Sequence, residues 1–240
     1  MKIYINNRNW VTWPKAMATK FAEEGHDVIF IDNASTYEPL LDYYTTCKFQ
    51  IIKMPNLGNT CAWTGNIVTD LNEPYVVTDP DYDLSMIPFD WAEVLLEGFQ
   101  QHPGHSKYGF SWDESQVPPE NPAYILDEMY KYPQGNPIAW GTHLAHNWHG
   151  YACDTSFAIY RPHIPFTISG IRKGRPYTGI HMPWHITLDP STTPDKLFYL
   201  FDDEVEYYFD HVENSSCTYG RILPMLQEYK LRKNEKKNLV

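Results

Sequence analysis

Three acidic residues, Asp79, Asp81 and Asp83, follow directly on the short apolar run Tyr75–Thr78. Pro80 keeps Asp79 out of the helical region, so the first carboxylate leaves the run in extended backbone. In an extended or turning chain, side chains two residues apart can converge on one small volume. Two carboxylates brought that close repel unless a cation lies between them. A hard divalent ion such as Mn²⁺ or Mg²⁺ suits such a pair, because it takes carboxylate oxygens and fills its shell with phosphates. The plain alternative is a solvated acidic turn, since Asp and Pro are ordinary turn residues. A second carboxylate of interest is Asp154, just ahead of the apolar stretch Phe157–Tyr160. It could reach into a cleft as a base, or only close an Asx-turn at a strand start. Arg172, Lys173 and Arg175 precede His181 and His185 in an otherwise acidic chain. Positive charge beside a carboxylate-bound metal is what a departing diphosphate needs. His143, His146 and His149 stand at three-residue spacing, but no cysteine joins them at zinc-site spacing, and a zinc cluster is not expected.

These residues need a scaffold, and the first half of the chain supplies one. Lys2–Ile5 reads as a strand ending in Asn6-Asn7-Arg8-Asn9, and a helix follows with Thr12 as its cap, Pro14 in its first turn and Gly25 as its stop. Trp13, Met17 and Phe21 repeat every four residues, so that helix packs one apolar face on a sheet. A strand over Val28–Ile31 ends in Asp32-Asn33, and a helical piece covers Glu38–Tyr44. A strand over Phe49–Met54 is closed by Pro55-Asn56-Leu57-Gly58-Asn59, and a short helix around Trp63–Val68 leads to the Tyr75 strand. Strands alternating with helices through short connections predict a largely parallel sheet covered on both faces. Asn7 and Arg8, Asp32 and Asn33, Asn56 and Asn59, and Asp79 and Asp81 would then lie along its carboxyl edge, where open α/β sheets bind ligands. Asp32 there suits a hydrogen bond to a base or ribose, or a cap for the next helix. Neither GxGxxG after the first strand nor GxxxxGK[ST] occurs, which disfavours the usual oxidoreductase dinucleotide fold and a P-loop enzyme.

Beyond Leu84 the character changes. Pro88–Gln101, with Phe89, Val94, Leu95, Leu96 and Phe99, predicts a core-facing helix, and Tyr108–Ser111 a strand. The Pro-rich stretch 113–137 reads as an irregular surface lobe or lid. Residues 198–211 form an aromatic-rich closing segment, and 230–240 a charged tail. The 240 residues carry 30 acidic and 19 basic side chains, formally −11, which leaves no broad basic face for nucleic acid and no polybasic membrane anchor. Eight Trp and 18 Tyr are compatible with a carbohydrate partner, since sugar rings stack on aromatic faces as core residues do. The four cysteines form no CxxC pair and read as thiols of a reducing compartment. No leader opens the chain and no apolar run is long enough to span a bilayer, so a cytoplasmic protein is expected.

Asp79-Pro-Asp81, the Asp32-Asn-Ala-Ser-Thr loop and the Asn56-Leu-Gly58 turn resemble the nucleotide-diphosphate-sugar half of a GT-A glycosyltransferase. More narrowly, Tyr151–Arg161 and Arg172–Trp184 resemble two long motifs of a small group of family-2-like glycosyltransferases from bacteria and large DNA viruses, the chlorella-virus enzyme domain among them. Gly179 stands where those motifs carry alanine. The resemblance runs over roughly residues 1–190 and includes two ordered motifs, which makes it far more specific than a lone Asp-x-Asp.

It implies an α/β protein with the GT-A nucleotide-diphospho-sugar transferase fold, a mostly parallel central sheet flanked by helices. One domain would cover 1–240: a nucleotide-binding half at 1–84, an acceptor half with the metal and phosphate histidine segment at 85–190, and a C-terminal extension at 191–240. By the same resemblance Asp79 and Asp81 hold Mn²⁺ or Mg²⁺ against the donor diphosphate. His181 completes the metal or phosphate shell, with His185 as competitor. Asn7, Arg8, Asp32, Asn56, Trp63, Asp79 and Arg172 form the nucleotide-sugar-binding set, and Asp154 is the base that activates an acceptor hydroxyl. The expected reaction moves a sugar, a hexose or deoxyhexose, from a UDP-sugar to a hydroxyl of a glycan or glycoconjugate. No second positioned nucleophile is evident, so inversion is expected. Two other classes remain open. A nucleotidyltransferase acting on sugar phosphates could use the same sheet and metal, although residues 6–13 lack the glycines it usually needs. A non-catalytic carbohydrate-binding module would explain the aromatics but not carboxylates at several strand ends.

Overall fold

The computed structural model describes residues 1–113 and 142–182 of the 240. Nearly all of these belong to one compact unit, Met1–Glu114 with Asn136–His181; a second unit comprises Ser115–Gly135 and Met182–Val240. His185, Trp184, most of the 113–137 stretch and the C-terminal extension lie outside the described residues.

The first half builds as its pattern predicts. Strand β1 (Lys2–Asn7) lies parallel between β2 (Asp27–Asn33) and β4 (Tyr75–Thr78), and β3 (Gln50–Met54) adds to β2 in the same direction. Of these, β1, β2 and β4 are nearly continuous runs buried on both faces, as a parallel sheet under helices requires, while edge strand β3 is only partly buried. Helix α1 (Thr12–Glu23) buries Met17, Ala18 and Phe21 and packs against β2. Its N-cap position is Val11, with no capping side chain, so Thr12 does not act as the cap that its type suggested. Helices α2 (Glu38–Thr46) and α3 (Cys61–Thr64) follow β2 and β3. The core under α3 joins Tyr4, Ile29, Ile31, Trp63, Val77 and Tyr160.

The order β3-β2-β1-β4 reverses direction at β1, so the chain leaves β1 one way and reaches β4 from the other. That reversal opens a crevice at the carboxyl ends of β1 and β4, the place where open α/β sheets hold ligands. Asn7 and Arg8 end one strand there and Asp79 follows the other.

The second half is mixed rather than parallel. Beyond β4 come β9 (Ala158–Tyr160), β6 (Lys107–Trp112), β10 (Ser169–His181), β8 (Trp148–Ala152) and β7 (Thr142–Leu144). β9 runs antiparallel to both β4 and β6, while β6 and β10 are parallel. Helix α4 (Trp91–Gln101) covers β6 with Trp91 and Leu95 buried, and Gly98 admits the Trp148 and Tyr108 rings, which a Cβ would meet at 2.7 Å. Phe89, expected to face the core, is instead 77% exposed ahead of that helix. Long β10 pairs with β8 over Ser169–Lys173, shifts register between Lys173 and Thr178, and ends paired with β5 (Tyr82–Asp83). A register break of this kind bends a strand and re-aims its side chains. Here it delivers His181 opposite Tyr82, one residue from Asp81. No helix among the described residues is long and apolar enough to cross a membrane.

Candidate active site

Asp79, Asp81, Asp154, Arg172 and His181 come together beside the carboxyl end of β4, between the turn ahead of β9 and strand β10. The Asp79 carboxylate accepts a 2.7 Å hydrogen bond from the Thr155 hydroxyl. Burial first, then the charges of Asp81 and Asp154, push its pKa well above the ordinary carboxylate value; the Thr155 bond and Lys107 pull the other way. Asp79 as a residue is only partly buried, so the desolvation belongs to its inward-turned carboxylate. Like charges at close range are the physical signature of a site that lacks a countercharge. Asp81 is buried, and one of its carboxylate oxygens lies 3.5 Å from His181 Nε2. Asp83, the third acid, turns away and closes its own turn by accepting from the Ser85 amide.

Asp154 is held at three points. Its carboxylate accepts from the Ser156 amide at 3.0 Å, the turn that its position suggested, and also lies 3.6 Å from Arg172 Nη2. Its backbone carbonyl accepts from Lys107 Nζ. The side chain nonetheless remains 52% exposed, so the carboxylate can reach a substrate. Arg172, expected in the nucleotide-sugar-binding set, is turned into the protein. It is 3% exposed, donates to the Phe110 carbonyl at 2.6 Å and the Ser156 hydroxyl at 2.7 Å, and lies under the Trp112 ring at 4.2 Å. Gly170, Ile171 and Arg172 are all buried, where β10 lies between β6 and β8. Lys173 and Arg175 are engaged elsewhere, with the His146 carbonyl and with Asp113.

Along the parallel strands the polar ends are tied to one another. Asn7 is fully buried, and its amide donates to the Trp10 carbonyl and the Tyr44 hydroxyl, so it braces the β1 loop rather than opening onto a base pocket. Arg8 is partly buried at the same strand end. Asp32 accepts from the Ser35 amide and so holds the loop ahead of α2 without capping that helix. Burial first and the Asp32 charge next raise the Tyr44 pKa. Exposed Asn56 accepts from Asn33 and from the Gly58 amide. Trp63 faces the core: it is 6% exposed, its rings meet Tyr160 and Phe166 at 5.0 and 5.1 Å, and its N–H goes to Tyr75. A ligand at the sheet edge cannot stack on it, because an aromatic at the middle of a short buried helix packs inward.

The structure adds residues that sequence reading passed over. Lys107 is fully buried in the core. Tyr82 is 4% exposed, accepts from Trp112 Nε1 at 2.7 Å, and lies 5.1 Å from the His181 ring. Thr155 and Ser156 adjoin Asp154 in a motif already singled out, but their partners are 76 and 16 residues away. A groove of about 500 Å³ between α1 and the 82–89 segment shares Tyr82 as a wall and carries Trp13 and Phe89 with Glu23 and Lys20.

In kind, two carboxylates and an imidazole suit Mn²⁺ or Mg²⁺. In this arrangement Asp81 is turned to His181 and Asp79 to Thr155, and among the described residues no three His, Cys, Asp or Glu side chains are arranged to hold one ion. His143 and His149 face each other across β7 and β8 with rings 4.4 Å apart, and His146 does not join them in a metal-holding group.

No protein-family model and no curated protein sequence matches the chain. Among solved structures, glucosyl-3-phosphoglycerate synthase from Mycobacterium tuberculosis in complex with phosphoglyceric acid matches at 10% identity and a TM-score of 0.37, over 54% of this chain and 50% of that one. The same enzyme with Mn²⁺, UDP-glucose and phosphoglyceric acid matches at equal identity, TM-score and coverage. Its complex with Mn²⁺, UDP and glucosyl-3-phosphoglycerate matches at 11% identity and 0.37, over 53% and 49%. The chain thus spans about half the length of those structures.

Proposed function

We propose that this protein is a metal-dependent GT-A glycosyltransferase that moves a sugar from a UDP-sugar to a hydroxyl of a glycan or glycoconjugate. The observation that carries the reading is the crowding of Asp79, Asp81 and Asp154 at the carboxyl end of β4, beside the switch point. The two long motifs, Tyr151–Arg161 and Arg172–Trp184, support the same family and its bacterial and viral members. Asp79 and Asp81 would hold Mn²⁺ or Mg²⁺, with His181 completing the shell and His185 as the competing imidazole. When bound, the ion supplies positive charge to the departing diphosphate. Asp154, exposed but anchored, takes the proton from the acceptor hydroxyl as that oxygen bonds to the anomeric carbon. The bond from that carbon to the diphosphate oxygen breaks in the same step, UDP leaves, and the configuration inverts. Arg172 orients Asp154 through the ion pair and Ser156. Arg8 and Asp32 lie nearest the base and ribose, while Asn7 and Asn56 shape the rim around them. Free Cys47, Cys61 and Cys153 support a reducing, cytoplasmic setting.

The first test is calorimetric titration of UDP with and without Mn²⁺. Binding that depends on the ion supports the reading, and equal affinity in both conditions removes the metal from it. A panel of nucleotide sugars, screened by binding and then by mass spectrometry of products on candidate glycans, identifies donor and acceptor. Failure of every nucleotide sugar to bind the folded protein with Mn²⁺ present would take down the transferase reading. Release of pyrophosphate with formation of an activated sugar would assign a nucleotidyltransferase instead.

A further inference from the structure

Lys107 has no catalytic or binding role above, yet it is fully buried, whereas the other described lysines are half-buried or exposed. Burying an ammonium is costly unless the surroundings compensate it. The compensation is built from several elements. Lys107 opens β6 opposite Tyr160 of β9, and its Nζ donates to the Tyr160 hydroxyl at 3.3 Å and to the Asp154 carbonyl at 2.5 Å. The ammonium lies 5.2 Å from the Tyr160 ring centroid and 5.1 Å from that of Phe166, within cation–π range. Gly170 of β10 leaves room for the stem: a Cβ there would meet Lys107 Cγ at 2.8 Å and Cys153 Sγ at 2.9 Å. Two rings, a glycine gap and two acceptors thus fix one lysine and aim it at one backbone carbonyl.

That carbonyl belongs to the residue assigned as base. We propose that Lys107 is the positioning residue for Asp154: from beneath the sheet it pins the Asp154 carbonyl, while Arg172 sets the carboxylate, so that the exposed side chain projects in one direction. The inference rests on the transferase reading for its consequence in turnover. The pinned turn itself is a property of the fold. Burial pulls the Lys107 pKa down to about 8, with Cys153, Asp154 and Asp79 opposing that fall and Arg172 adding to it. The ammonium is therefore still the main form at neutral pH and donates a charge-assisted bond.

The test uses the full chain and compares Lys107→Met with the parent. The Ser156 amide, which donates to the Asp154 carboxylate, reports the turn by hydrogen exchange. Mn²⁺-dependent UDP affinity reports the donor site, and UDP release with glycan product reports turnover. The expected result is faster exchange at Ser156 and UDP affinity no weaker than the parent's. Transfer should fall by about 10²-fold, the scale of an ångström's misplacement of a reacting group. Unchanged exchange at Ser156 would overturn the proposal whatever the activity does. Faster exchange with undiminished transfer would also overturn it, because the lysine would then serve packing alone. Should Lys107→Met fail to fold, Gly170→Ala displaces the same stem without removing the charge, and the same criteria apply. If the parent binds no UDP with Mn²⁺, the transferase reading falls, and exchange at Ser156 alone decides whether Lys107 pins the turn.

Discussion

The rim built by β1, β2 and β3 and the seam where β4 meets β9 are both lined by short polar side chains at strand ends, but their partners differ. On the rim most polar groups find another. Asn6 donates to the Asn59 carbonyl and accepts from Cys61; Asn9 accepts from the Thr36 and Tyr37 amides; Asn33 donates to Gly58 and accepts from the Leu57 amide. These are neutral bonds between neighbouring loops, and their effect is to hold the loops still. At the seam, carboxylates face carboxylates, with Lys107 and Arg172 buried behind them. Neutral amides satisfy one another in a closed network, whereas like charges leave a site that gains free energy when a cation arrives. The rim is accordingly a frame and the seam is where chemistry is proposed.

The sharpest way to test that contrast is Asp154→Asn, which keeps size and hydrogen bonding but cannot take a proton. We expect transfer to fall by about 10²–10⁴-fold with Mn²⁺ and UDP affinity retained. Transfer at the parent rate, measured by product mass spectrometry, would remove Asp154 as the base. Next in size, Asp79→Ala or Asp81→Ala should abolish the Mn²⁺-dependent part of UDP binding while circular dichroism shows the fold intact. In the same titration His181→Ala should lose more than His185→Ala, and the reverse order would exchange the two assignments.

On the rim the expected loss is of stability, not of chemistry. Asn9 has a φ of 60°, is fully buried, and its side-chain oxygen satisfies two backbone amides. Asn9→Ala should therefore cost about 2–4 kcal/mol in urea unfolding, from two orphaned donors and a left-handed alanine. A loss under about 0.5 kcal/mol, the scale of an ordinary surface change, would mean the network does not hold the frame.

The smallest effect has the opposite sign. The neutral form of Asp79 is favoured in the folded state, so its contribution to stability is complete below the unfolded carboxyl value of 3.8 and is lost as pH rises through the raised folded value. At neutral pH without metal the cost of ionising this buried group opposes folding, and Asp79→Asn should raise the melting temperature by a few degrees. The gain should shrink as the pH approaches 4 and in the presence of Mn²⁺. A lower melting temperature at pH 7 in scanning calorimetry would contradict the crowding.

Much of the frame was legible from spacing alone. Of the stripe Trp13, Met17 and Phe21, the last two lie on the inward face of α1 while Trp13 lines the groove beside it, and the unbroken run Tyr75–Thr78 marked a strand buried on both sides, because periodicity and burial follow from local geometry. The two acids after that strand were equally plain. Their partners were not. Thr155 reaches Asp79 across 76 residues by way of the antiparallel pairing of β9 with β4, and Arg172 reaches Phe110 across 62 by the parallel pairing of β10 with β6; no local pattern announced either pairing. Trp63 and Arg172, which the resemblance places toward a ligand, are both buried, because the core under α3 and the strands on either side of β10 close over them.

The sequence by itself determined which strands are buried, where their carboxyl ends lie, and that carboxylates collect there, since each depends on neighbours along the chain. Only the tertiary structure decided that Asp79, Asp81 and Asp154 share one volume, that the register shift in β10 brings His181 to Asp81, and that a lysine lies buried beneath the Asp154 turn. The reason is electrostatic as much as geometric. A charge in a sequence reads as solvent-facing until the strands around it are placed, and its cost or use depends on which other charges the fold sets beside it.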